Sequence, residues 1–316
     1  MLENFLLFII KKLTSEEIAQ LTQKYTNLMY QGEKSMKKTY KFYIRTILKP
    51  KISSQWVTFI ANNPVLDYCS NYEGIIEKPH RPYRRSQYNF KQRLELIKEH
   101  YTIILKYRWF PLINQAYCDD IAISNFETKS GRILTLSLSR PKQFMKEGEI
   151  ELRLKDDCIR LYTIVFSFRY SVYNSIAIDI GCIQGPTNKK DKSARDIVRE
   201  LTKELHGLRP RSLMLESLRA IGTVSNVSSI RIVGNKNHIY NHWRKKKKLP
   251  FDYDEFSTEI EYHVEEKGDW IVPIQSIDRP IESVASHKRG ETRRRRALIL
   301  QIKEQIAFML TKNINT

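Results

Sequence analysis

The chain has 316 residues and carries 54 Lys and Arg against 35 Asp and Glu, a formal net charge of +19. With 41% hydrophobic residues and only 11 Gly and 11 Pro, a disordered tail and a collagen-like repeat are excluded, and the length suits one large domain or two small ones. So strong a cationic bias points to an anionic partner: RNA, DNA or an anionic lipid surface.

At the N-terminus Leu2, Phe5, Leu6, Leu7, Phe8, Ile9 and Ile10 form an apolar patch closed by Lys11 and Lys12. It is shorter than the roughly 20 residues of a transmembrane helix and has no small-residue cleavage site after it. The expectation is a helix packed on the core, with an interfacial anchor as the alternative, in a cytoplasmic protein that lies at most peripherally on the inner membrane. Cys69, Cys118, Cys158 and Cys182 show no ligand spacing, so they read as reduced thiols and no metal site is expected. Apolar residues at helical spacing run from Ser15 to Ile60, with one stretch, Phe42 to Leu48, stopping before Pro50. Lys78 to Arg85 holds two prolines and reads as a basic linker, and Phe90 to Tyr107 is again helical.

Beyond Asp120 the hydrophobic period changes from 3.6 to 2. Arg132 to Leu138, Glu149 to Leu154, Ile159 to Phe168 and Ile176 to Cys182 are predicted strands, joined as an antiparallel meander. A turn follows at Gly181 to Pro186, then helices over Asp191 to Leu205 and Ser212 to Ile221, broken at His206 to Pro210. Ile230 to Val233 and Trp270 to Ile274 are further strands, and Arg293 to Leu310 is a helix with a basic first turn. The fold class is therefore α+β: a mainly helical region 1–119, then residues 120–316 as a mainly antiparallel sheet with packed helices. A stable fragment beginning near residue 120 is a corollary.

Several stretches resemble the VirK/YbjX family of enteric bacteria: Glu147 to Leu152, Gly181 to Pro186, Leu201 to Pro210, Gly234 to His238 with Tyr240, Asp252 to Asp254, and Ser286 to Arg289 with Arg293 to Arg296. The resemblance implies a virulence-associated accessory protein linked to the cell envelope or to surface virulence factors, with no established biochemical activity. The order of elements also resembles the topology of N-acetyltransferase-like acyltransferases. In that family a strand end splays from its neighbour, and the following turn presents backbone N–H groups to the pyrophosphate of an acyl donor. The resemblance implies acyl-CoA or acyl-carrier protein as donor, held by Gly181, Ile183, Gln184 and Gly185 with Lys189 and Lys190.

Candidate catalytic groups are His238 and His206, whose imidazoles titrate near working pH, and Cys182 as a nucleophile beside the same turn. The bland alternatives are a helix-end role for His206 and an inert strand-end thiol. Asp252, Asp254, Glu255, Glu259 and Glu261 are expected to pair with the run Arg244 to Lys248. Candidate anion-binding cations are Arg81, Arg84, Arg85, Lys203, Arg209, Lys288, Arg289, Arg293, Arg294, Arg295 and Arg296. They leave a second reading open: a non-enzymatic cationic protein that binds RNA or anionic membrane, acting post-transcriptionally or at the inner membrane.

Overall fold

A computed structural model describes residues 2–29, 36–64, 66, 74–106, 115–116, 120–171, 174–188, 191–242, 245–246, 249, 251–260, 263–276 and 279–314. Four helices open the chain: α1 (Leu2–Leu13), α2 (Glu16–Met29), α3 (Met36–Leu48) and α4 (Pro50–Ala61). Pro50 ends α3 and opens α4, because a first-turn residue needs no N–H to donate. A 3-10 turn, Lys78–His80, precedes α5 (Phe90–Lys106).

The strands are β1 (Ile121–Glu127), β2 (Ile133–Ser139), β3 (Ile150–Asp156), β4 (Ile159–Tyr170) and β5 (Ile176–Gln184), each antiparallel to the one before. Then come α6 (Ala194–Glu204) and α7 (Pro210–Val224), which return the chain to β6 (Ser229–Ile232), parallel to β5. Two-residue strands β7 (Asn241–His242) and β8 (Lys245–Lys246) pair with each other, and α8 (Tyr253–Thr258) follows. The hairpin β9 (Val264–Glu266) and β10 (Asp269–Pro273) closes the sheet in the order β1-β2-β3-β4-β5-β6-β10-β9. The long helix α9 (Ser286–Ile314) packs on α7 and β1. The fold is thus α+β with a mostly antiparallel sheet, and one parallel pair sits where the helical crossover demands it.

Three expectations need correction. The turn predicted at Gly181 is still strand: β5 runs to Gln184, and the chain leaves it at Gly185. The basic residues Arg293 to Arg296 lie inside α9, since that helix begins at Ser286. The third correction is the largest, because Lys78 to Arg85 is no linker. Its prolines do prevent an α-helix, but the sheet supplies every one of its buried charges with a partner. The Lys78 ammonium meets Glu149 Oε1 at 2.5 Å, and the hydroxyls of Tyr83 and Tyr101 donate to the same carboxylate at 2.6 Å each. Arg84 pairs with Asp179 from a left-handed backbone (φ 61°), while Arg85 donates from Nη2 to Asp179 at 2.8 Å and from Nε to Asp269 at 2.8 Å. Arg84 and Arg85 are both fully buried. Such desolvated charges persist only when paired and hydrogen bonded. The helical region and the sheet therefore share one continuous core, with α5 packed on β4.

Candidate active site at the bulge of the fifth strand

Opposite β4, Phe166 faces Ile180 and Val165 faces Cys182, so Gly181 is the extra residue of a β-bulge. On its other edge β5 pairs with β6 only from Ala177 to Ile180, and Val233 closes that ladder by donating to the Ile180 carbonyl at 3.1 Å. The ladder stops there because β6 ends at Ile232, so Gly181 to Gln184 continue β5 without a strand partner on that edge among the described residues. A Cβ at residue 181 would fall inside the contact radius of the Glu147 carbonyl oxygen, so only glycine lets the Glu147 backbone pass this close.

Around this strand end cluster Glu147, Cys182, His238, Tyr240 and Tyr253, all but Tyr240 buried. The backbone N–H of Ile183 donates to the Tyr253 hydroxyl at 3.2 Å, and the His238 ring stacks on Tyr253 with centroids 5.0 Å apart. Tyr240 donates its backbone N–H to His238 Nδ1 at 3.3 Å, which places the imidazole proton on Nε2. That nitrogen is buried and has no hydrogen-bond partner among the described residues. Burial and the charge of Arg85 push the His238 pKa down to about 4, against the backbone of Gly181, so the ring is neutral at pH 7. In this tautomer the nitrogen facing the cluster is a donor.

Glu147 is the carboxylate of the cluster. Its carboxylate is 1% exposed, neither oxygen closes a hydrogen bond among the described residues, and burial lifts its pKa to about 7 against the neighbouring Tyr240 phenol. Burial and the Glu147 charge hold the Cys182 thiol and the Tyr240 phenol well above their usual ranges. Cys182 is accordingly a buried, protonated thiol and a poor nucleophile.

The remaining predicted site residues are dispersed. Ile183 is already taken by Tyr253, and Gly185 faces the Tyr162 ring, where a Cβ would meet it at 3.2 Å. The Gln184 side chain turns to the Gly185 carbonyl. Lys189 and Lys190 lie outside the described residues, as do Arg244, Lys247 and Lys248. His206 ends α6 in a left-handed conformation (φ 52°), next to Gly207, which abuts Glu291 of α9. No contact joins it to the bulge cluster among the described residues. Asp252 caps α8, Asp254 accepts from the Trp270 indole at 2.7 Å, and Glu259 accepts from Arg209 and Arg211, so these acids are structural.

Of the expected anion binders, Arg84 and Arg85 are committed to Asp179 and Asp269 and are not available to a phosphate. Arg81 pairs with Glu77, and Arg289 donates to the carbonyls of Val284 and Glu282. Lys203, Arg293 and Arg294 are exposed, whereas Lys288, Arg295 and Arg296 line a cleft of about 900 Å³ between α7, α8 and α9.

Among known proteins, the chain is 27% identical over 277 residues to the uncharacterised protein YbjX of Escherichia coli K12, covering 85% of this chain and 82% of that one. It is 28% identical over 205 residues to a protein of Mannheimia haemolytica named membrane protein LapB, covering 63% and 84% respectively. A solved cAMP-binding acyltransferase from Mycobacterium smegmatis aligns with a TM-score of 0.31 at 6% identity, over 71% of this chain and 62% of that one, a likeness that carries no argument. The family described as protein of unknown function DUF535, which is that of the VirK/YbjX proteins, matches residues 31–308, and the chain belongs to it.

Proposed function

We propose that the protein is an acyltransferase-type enzyme serving the bacterial envelope. The observation that carries this reading is Glu147: a buried carboxyl poised near neutrality beside the Tyr240 phenol, with no cation paired to it among the described residues, at the end of the β5–β6 ladder. An acceptor amine or hydroxyl gives its proton to Glu147 while its nitrogen or oxygen bonds to the acyl carbon of a thioester. The thiolate leaves with the electrons of the broken C–S bond and takes that proton back from Glu147. His238 Nε2–H is placed to donate to oxygen charge that develops on the way. Tyr253 occupies the Ile183 N–H and must release it when a donor enters. The envelope assignment rests on the family resemblance and on the name of the Mannheimia relative.

The test is titration with acyl-CoA and acyl-carrier protein, together with release of free thiol. Glu147→Gln should lower turnover by roughly 100-fold to 10,000-fold and leave donor affinity within about twofold. Failure of the wild-type protein to bind either donor removes the reading.

A second reading, peripheral binding to anionic membrane, is favoured by α1. Leu2, Phe5, Phe8 and Leu13 are each 50–58% exposed, and the Lys12 ammonium lies 5.5 Å from the Phe8 ring centre. Aromatic side chains flanked by lysines suit the headgroup region, although α1 precedes the matched segment 31–308 and no described helix can cross a bilayer. Sedimentation with phosphatidylglycerol vesicles should fall for Phe5→Ser with Phe8→Ser, and unchanged binding removes this reading.

A further inference from the structure

The 900 Å³ cleft has a polarity gradient along α9. Lys288, Thr292, Arg295 and Ile299 follow one another at spacings of four, three and four, so one face of the helix passes from cationic to apolar. Across from it, α7 contributes Leu215 and α8 contributes Phe256. The acidic residues of the cleft are mostly committed. Glu216 is shared by Arg219 and Lys303, and Glu259 by Arg209 and Arg211. Glu291 is the remaining carboxylate in the lining. Lys288 and Arg295 have no carboxylate partner among the described residues; Arg295 reaches only the Thr292 hydroxyl, at 3.4 Å. At the far end Leu300 stays 58% exposed, a large apolar side chain left at the rim of a concave surface.

We infer that this cleft binds a phosphorylated molecule carrying an acyl chain, with the phosphate on Lys288 and Arg295 and the chain along Ile299, Leu300, Leu215 and Phe256. Two cations without a carboxylate partner, about two turns apart on one helical face, match a phosphate, which accepts several charge-assisted hydrogen bonds. A wholly inorganic anion leaves the apolar half unused, and a neutral lipid leaves the cations unused. Helix α8 stands between the cleft and the bulge cluster, with Tyr253 facing Glu147's cluster and Phe256 lining the cleft. The inference therefore holds whether or not Glu147 is a base.

Two sources supply this chemistry, a lysophospholipid and an acyl thioester of coenzyme A, and the binding experiment separates them. Lysophosphatidylglycerol and palmitoyl-CoA, each below its micelle-forming concentration, are titrated into the full-length protein beside monoacylglycerol and coenzyme A without a chain. At least one of the two phosphorylated, acylated probes should bind at least tenfold more tightly than both controls. Lys288→Gln with Arg295→Gln should cost that probe at least tenfold, and Leu300→Asn severalfold, with thermal melting unchanged for both variants. The probe that binds identifies the source. Equal binding of monoacylglycerol or of bare coenzyme A, indifference to the Lys288/Arg295 variant, or no binding of either acylated probe would overturn the inference. The Glu147→Gln variant should bind the same probe as well as the wild type, so a failed reaction and a failed cleft are told apart.

Discussion

Arg85 and Asp179 meet with both side chains fully buried, joining a segment that precedes the sheet to the middle of its fifth strand. Asp179 also takes Arg84, and these guanidinium groups hold its carboxyl far below the usual carboxylate range in spite of burial. Asp179→Asn should destabilise the protein by about 3–5 kcal/mol, because it leaves Arg84 buried without a carboxylate among the described residues and Arg85 with Asp269 alone. Urea unfolding measures this, and a loss under about 1 kcal/mol would mean that the pair is not energetically coupled. The same network argues against independence of residues 120–316. A fragment starting at residue 120 should lack a cooperative unfolding transition, since it removes Lys78 from Glu149 and leaves Asp179 and Asp269 with only the longer contacts to Arg169 and Arg231.

Glu147 gives the stability a pH signature with a definite sign. Its folded pKa, about 7, lies above its unfolded one, so between pH 4.5 and 7 the native state binds more protons and stability falls as pH rises. His238 acts oppositely: its folded value, about 4, lies below 6.5, so stability is lost as pH falls through that window. Glu147→Gln should therefore match the wild type near pH 4 and exceed it by about 3 kcal/mol above pH 7. A difference that does not grow with pH would show that the carboxyl titrates normally.

Two glycines of one strand end should respond differently to the same change. At Gly181 the obstacle is the Glu147 backbone, which cannot give way, so Gly181→Ala should cost about 3 kcal/mol or more. At Gly185 the obstacle is the Tyr162 ring, a side chain able to shift, so Gly185→Ala should cost about 1 kcal/mol. Thermal melts of the pair decide the point, and equal losses would contradict the bulge geometry.

Thiol labelling tests the standing of Cys182. In the native protein at pH 8, iodoacetamide should modify the exposed Cys158 and spare Cys182 until the chain is unfolded. Peptide mapping that finds Cys182 alkylated as fast as Cys158 would restore it as a candidate nucleophile.

Most of the sheet was legible because its strands alternate or are uniformly apolar, and their ends fell within a few residues of expectation. The burial of Arg84 and Arg85 was not legible, since a short basic run with prolines looks the same whether its partners are water or remote carboxylates. Glu147 was hidden for a related reason. In Glu147-Gly-Glu-Ile-Glu the acids alternate with apolar residues like a solvent face, yet Glu147, Glu149 and Glu151 are all buried because β3 and the segment before it are covered on both sides. The usable signal for that stretch was the complementary set Lys78, Tyr83 and Tyr101, all of which meet Glu149 and read as decoration until matched to it.

The Arg85 network also sets an order of events in synthesis. Arg85 precedes Asp179 by 94 residues and Asp269 by 184, so a ribosome releases these cations long before either carboxylate exists. Until β10 has emerged, Arg84 and Arg85 stay hydrated and the core cannot close around them. Contacts at such separations bear the full loop-closure entropy before they return any stability. The chain should therefore complete this core only after β10 has been translated, with docking of the 78–85 segment as a late and slow step.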